Sequence, residues 1–167
     1  MAVVTLKGSR IMTGLTADPV VLADPGEGGG RMHVWVETVE VGSADSATST
    51  YLMAKLPSAA RIFGTSRAYW DDLASTGAPT LDIGIFPIRT GDFTSDDDAL
   101  RADLDVATAG TGTSLIADIA NYGKRLWEFI NGQTTDPKCD CYIYGTLKDA
   151  AVNVGGTVTF EIHYAVD

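Results

Sequence analysis

The chain has 167 residues, of which 45% are hydrophobic and 20% charged, a size and balance that supply one hydrophobic core and exclude an intrinsically disordered chain. With 12 Lys and Arg against 22 Asp and Glu, the formal net charge is −10, which repels phosphate backbones and anionic lipid, so neither nucleic acid nor membrane is an expected partner. No apolar run reaches the roughly 18–20 residues that cross a bilayer, and the start Met1-Ala2-Val3-Val4-Thr5-Leu6-Lys7 lacks the basic-then-apolar plan of a secretory signal.

In chain order, residues 2–7 read as a short strand. Residues 13–31 carry Gly14, Pro19, Pro25, Gly26, Gly28, Gly29 and Gly30 without a lasting period, which predicts an extended arm or loop. Residues 32–41 predict a strand with Met32, Val34 and Val36 on one face and Val39 and Val41 on the other. That change of phase predicts a bulge near Glu37 and Thr38. Residues 42–50 are small and polar and predict a loop. A strand follows at 50–56, then an apolar stretch at 58–63 whose type stays open.

Leu81, Ile83 and Ile85 alternate with Asp82 and Gly84, which predicts a strand over 80–86 ended by Pro87. Leu100, Ala102, Leu104 and Val106 alternate with Arg101, Asp103 and Asp105, which predicts a half-buried strand. Residues 107–113 read as a flexible link. Leu115, Ile119, Tyr122, Leu126, Phe129 and Ile130 then draw one apolar stripe at helical spacing, which predicts a helix over about 114–131. Thr113 or Ser114 can cap its start, and Asn131-Gly132 can stop it. Strands follow at 140–147 and 157–166. The last alternates strictly, the mark of an antiparallel sheet with one face buried. The expected fold is mostly β: an antiparallel β-sandwich or jelly roll with one inserted α-helix, in a single domain over 1–167.

Candidate chemistry is sparse. His33 and His163 both fall inside strand patterns, where a satisfied strand histidine is the simplest reading. A metal pair across the sheet would need a third ligand that the chain does not supply. Cys139-Asp140-Cys141 has no second cysteine pair, so the two-pair zinc pattern is absent and ordinary thiols are expected. The acids Asp92, Asp96, Asp97, Asp98, Asp103 and Asp105 invite a calcium test. Counted from Asp96, however, the sixth position is Arg101 and the twelfth Ala107, where an EF-hand needs Gly and Glu. The pattern predicts a solvated acidic loop, with Asp96–Asp98 facing water. The run Gly26-Glu27-Gly28-Gly29-Gly30 has no phosphate-binding order, and no G-x-S-x-G elbow occurs. No catalytic residue, metal or cofactor is therefore expected. Aromatic side chains are enriched in interface cores, and the candidate interface residues are Arg67, Tyr69, Trp70 and Phe86.

Four stretches, residues 48–63 (TSTYLMAKLPSAARIF), 71–86 (DDLASTGAPTLDIGIF), 118–129 (DIANYGKRLWEF) and 155–164 (GGTVTFEIHY), resemble small virion proteins of tailed bacteriophages. Those proteins are similar to capsid decoration, or cement, proteins. The resemblance implies a jelly-roll or β-sandwich fold, a place on the outer capsid surface of a virion assembled in bacterial cytoplasm, and homotrimers seated on the major capsid protein. It carries over no catalytic residue. The function it implies is structural: to stabilise the expanded shell. The 13–31 segment, lacking a period of its own, is the candidate for an arm that orders on contact. The alternatives are a tail or fibre module binding a receptor or glycan through exposed aromatics such as Trp70, and a small metal-dependent enzyme using Cys139, Cys141 and a histidine.

Overall fold

The computed structural model describes residues 31–166. The expected strand at 2–7 and nearly all of the expected 13–31 arm lie outside them. Nine strands follow in order: β1 (Met32–Val41), β2 (Thr50–Pro57), β3 (Arg61–Ile62), β4 (Arg67–Trp70), β5 (Thr80–Pro87), β6 (Asp96–Asp105), β7 (Gly110–Ser114), β8 (Asp140–Lys148) and β9 (Gly156–Ala165). They form two antiparallel sheets. The larger has the order β1-β9-β4-β7, with the two-residue β3 also on β9, and the smaller has the order β2-β8-β5-β6. Early strands pair with late ones in a nested series, β1 with β9, β2 with β8, β4 with β7 and β5 with β6. That nesting is jelly-roll wrapping.

The inward-facing alternates of both sheets meet in one core. β5 and β8 supply Leu81, Ile83, Ile85, Ile143 and Leu147, and β9 supplies Val158, Phe160 and Ile162. β9 keeps its predicted alternation because it pairs on both sides: with β1 over its whole length, and with β4 and β3 opposite.

Three expectations are corrected. The helix over 114–131 is absent: Gly110–Ser114 is strand β7, and two short 3₁₀ turns, Ile119–Asn121 and Leu126–Phe129, follow. Tyr122 and Arg125 have extended backbone, and Gly123 between them has φ +79°, so the chain cannot wind through this point. The peptide groups bond instead to the segment around β3. Gly123 N donates to Ile62 O (3.2 Å), Leu126 N to Ala60 O (2.8 Å) and Trp127 N to Ser58 O (3.1 Å). The stripe divides accordingly, with Leu115, Leu126 and Ile130 buried and Ile119 77% exposed.

The expected bulge at Glu37 and Thr38 is also absent, because β1 pairs with β9 through ten consecutive positions. The register shifts fall elsewhere: at Met53 in β2, between β5 and β6 on either side of Ile83, and between β4 and β7 at Ala68 and Tyr69. The extra residues at the shifts beside Ile83 lie in β6 and interrupt its expected alternation, leaving Ala102 exposed while Leu100 and Leu104 stay buried. Finally, β3, β4 and β7 are strands that local pattern did not reveal, and β7 occupies part of the expected 107–113 link.

Candidate interaction surface

Unbroken register decides what β1 presents. Its inward positions include Trp35, Val39 and Val41, which pack on the core, and Trp35 Nε1 donates to Met53 O on β2 (3.0 Å), tying the two sheets at this edge. The alternate positions must then face outward. Met32, Val34 and Val36 are 59%, 53% and 61% exposed, an apolar stripe along the outer face of β1, an edge strand among the described residues.

Beside the stripe lies a row of polar side chains held to one another. Val34 sits opposite His163, Val36 opposite Glu161 and Thr38 opposite Thr159; β4 then places Arg67 beside Glu161 and Tyr69 beside Thr159. The Tyr69 hydroxyl donates to Glu161 Oε2 (3.1 Å), and that bond raises the phenol above its usual pKa. His163 joins Glu161 Oε1 through Nε2 (3.0 Å) and Thr65 Oγ1 through Nδ1 (2.7 Å). Thr38 and Thr159 share a hydroxyl bond of 2.8 Å. Side chains already fixed in this way lose little freedom when a partner covers them.

The outer face of the smaller sheet differs. Phe86 is exposed and meets Tyr144 edge-to-face at 5.9 Å, and with Leu52 they line a cleft of about 450 Å³. Lys148 lies between Asp97 (2.5 Å) and Asp82 (3.7 Å). The candidate interface residues therefore do not converge. Arg67 and Tyr69 lie on one outer face and Phe86 on the other. Trp70 is turned inward, only 8% exposed, with Nε1 donating to Thr108 O at 2.7 Å. Its ring packs on Gly110, where any Cβ would collide with it. This removes Trp70 as an exposed aromatic for a glycan.

The remaining candidates take ordinary structural places. His33 stacks on Tyr164 at 5.4 Å, and because it and His163 hold successive register positions, their rings point to opposite faces. Asp96, Asp97 and Asp98 bring carboxylate oxygens within 4.8 Å of one another. Asp98 is exposed, while Asp96 and Asp97 are half-buried. Asp97 is bound by Lys148, and Asp96 Oδ2 accepts from Asn131 N at 3.3 Å. Cys141 is buried, with Sγ on Leu56 O at 3.4 Å, whereas Cys139 is half-buried outside the strands.

Burial has a consequence at alkaline pH. It pushes the Cys141 thiol up to about 12 and the Tyr144 phenol up to about 12. It also raises Tyr51, which donates to Asp45 Oδ2 at 2.8 Å. All three are neutral when folded and ionise more easily unfolded, so their contribution is complete below about pH 9 and is lost as pH rises toward 12. The melting temperature should be level between pH 7 and about 9 and then fall steeply, and Cys141→Ala should make that fall shallower. A melting temperature unchanged to pH 12 would contradict the burial of these groups.

The missed positions are Met32, Val34, Val36 and Leu52. The signal for the first three was present: β1 is apolar on both faces, which one buried face cannot explain.

A two-sheet jelly roll with two outward faces, one apolar and near neutral and one aromatic and acidic, is the class of protein these observations define. No family model matches the sequence, and no curated protein matches it. Two solved structures share the fold. A chain of the capsid asymmetric unit of cyanophage Pam1 aligns with a TM-score of 0.58 at 18% identity, over 91% of this chain and 97% of that one. A chain of the capsid of Ralstonia phage GP4 aligns with a TM-score of 0.59, also at 18% identity, over 83% and 86%.

Proposed function

We propose that this chain is a non-catalytic virion protein that decorates the outer surface of a phage capsid and stabilises the expanded shell as a homotrimer bound to the major capsid protein. The observation that carries the reading is the near end-to-end likeness to chains of two phage capsids, over 97% and 86% of their lengths. A small rigid sandwich with side chains held in place on an outward face suits that task. The shell needs added contact area between neighbouring subunits, and many copies of modest affinity supply it through avidity. The net charge of −10 keeps such copies soluble and off packaged nucleic acid.

Light scattering on the purified protein should give three times 17.6 kDa, and the protein should co-sediment with expanded capsids of its phage in preference to unexpanded ones. A strict monomer with no affinity for either form would sink the proposal. A fibre module for a receptor or glycan is the second reading, supported by exposed Phe86 beside Tyr144 in the cleft of the smaller sheet. It requires glycan binding that Phe86→Ser abolishes.

A further inference from the structure

We infer that the outward stripe Met32, Val34 and Val36 of β1 is a contact between copies of this chain. The inference deepens the homotrimer reading and rests on it for stoichiometry, but the surface is argued from two separate observations.

The first is an unguarded edge. Among the described residues β1 borders only β9 within its sheet. A long edge strand is a template for pairing with another chain, and proteins normally blunt it with lysine, proline or a bulge. β1 has no Lys, Pro or bulge: its charged residues, Glu37 and Glu40, lie beyond the C-terminal end of the stripe, and its register runs without a break. Three exposed apolar side chains on such a strand are kept in water only at a cost, which a covering surface removes.

The second is charge, which makes this the face through which a copy of the same chain can approach. Two molecules each carrying −10 can meet only where like charge is locally low. The strands of the larger sheet hold Glu37, Glu40 and Glu161 against Arg61 and Arg67, close to balance. Along the stripe itself Glu161 is matched by Arg67 across the register and is bonded to Tyr69 and His163. The strands of the smaller sheet are far more acidic: β6 alone carries Asp96, Asp97, Asp98, Asp103 and Asp105 against Arg101. Copies that approach through the larger sheet bury apolar surface against near-neutral surface; copies that approach through the smaller one bring acids together.

The test is sedimentation equilibrium of the full chain, comparing wild type with Val34→Asp, with the gentler double variant Val34→Thr/Val36→Thr, and with Phe86→Ser on the opposite face. Threonine keeps the β-branched shape that strands favour, so the double variant guards against a folding artefact, and circular dichroism checks all of them. The inference expects Val34→Asp to sediment near 17.6 kDa, the double variant to weaken self-association about tenfold or more, and Phe86→Ser to match wild type. An associated wild type whose mass is unchanged by Val34→Asp overturns this surface and leaves the capsid reading intact. A monomeric wild type whose capsid binding Val34→Asp abolishes also overturns it and gives the stripe to the shell. A monomeric wild type that binds no capsid overturns both.

Discussion

Gly84→Ala is expected to destabilise the protein by about 3 kcal/mol or more, at the upper end of what overpacking costs. Gly84 lies in the middle of β5, between Ile83 and Ile85, which are both fully buried. β6 crosses directly over it, made possible by the register shifts on either side of Ile83. A Cβ at this position would collide with Asp96 O and would lie 2.5 Å from Asp97 Cα. These are backbone atoms, so no rotamer can relieve the clash. β6 would have to lift from β5, carrying Leu100 and Leu104 out of the core and pulling Asp97 from Lys148. Urea unfolding would read the loss as a lower midpoint. A midpoint equal to that of wild type would mean that β6 is not seated on β5 in this way.

Leu126→Ala is expected to cost about 2–5 kcal/mol, the range for deleting a fully buried leucine. Leu126 sits in the second 3₁₀ turn with no solvent exposure, and its N–H on Ala60 O leaves the backbone little room to close over a cavity. Ile119→Ala is the informative comparison and should change stability by no more than about 0.5 kcal/mol, because Ile119 is mostly in water. A helix burying its whole stripe would make both substitutions costly. Equal and large losses in thermal melts of the two variants would therefore restore the helix and contradict the turns.

The same segment shows how a local pattern misleads. Six apolar residues at helical spacing are a real signal, but helix formation also requires every intervening residue to accept helical backbone, and most helical stability comes from packing. Here the peptide groups of 123–127 find partners on the segment around β3, sixty-odd positions earlier in the chain. That pairing exists only once the sandwich has closed. β4 and β7 were illegible for a related reason. They are four and five residues long, and β7 contains Gly110 and Gly112. Gly110 has no side-chain pattern to show, because its lack of a side chain is what admits the Trp70 ring.

The interaction surface was half legible. Val34 and Val36 are plainly apolar in the sequence, but alternation gives a strand one buried face, so a second apolar face reads as a bulge. In the sequence Arg67 and Tyr69 are legible only as polar and aromatic neighbours, and their place beside Glu161 and Thr159 depends on β4 pairing with β9, some ninety residues later.

By itself the sequence determined the β class, the antiparallel character and most long strands, β9 above all. Alternation of side chains along an extended chain is a local property that burial of one face imposes on any partner. Only the tertiary structure decided which strands pair, where Trp70 turns, and which apolar residues stay in water. Those outcomes depend on register between segments far apart in the chain, and a shift of one position in register exchanges the buried face for the exposed one.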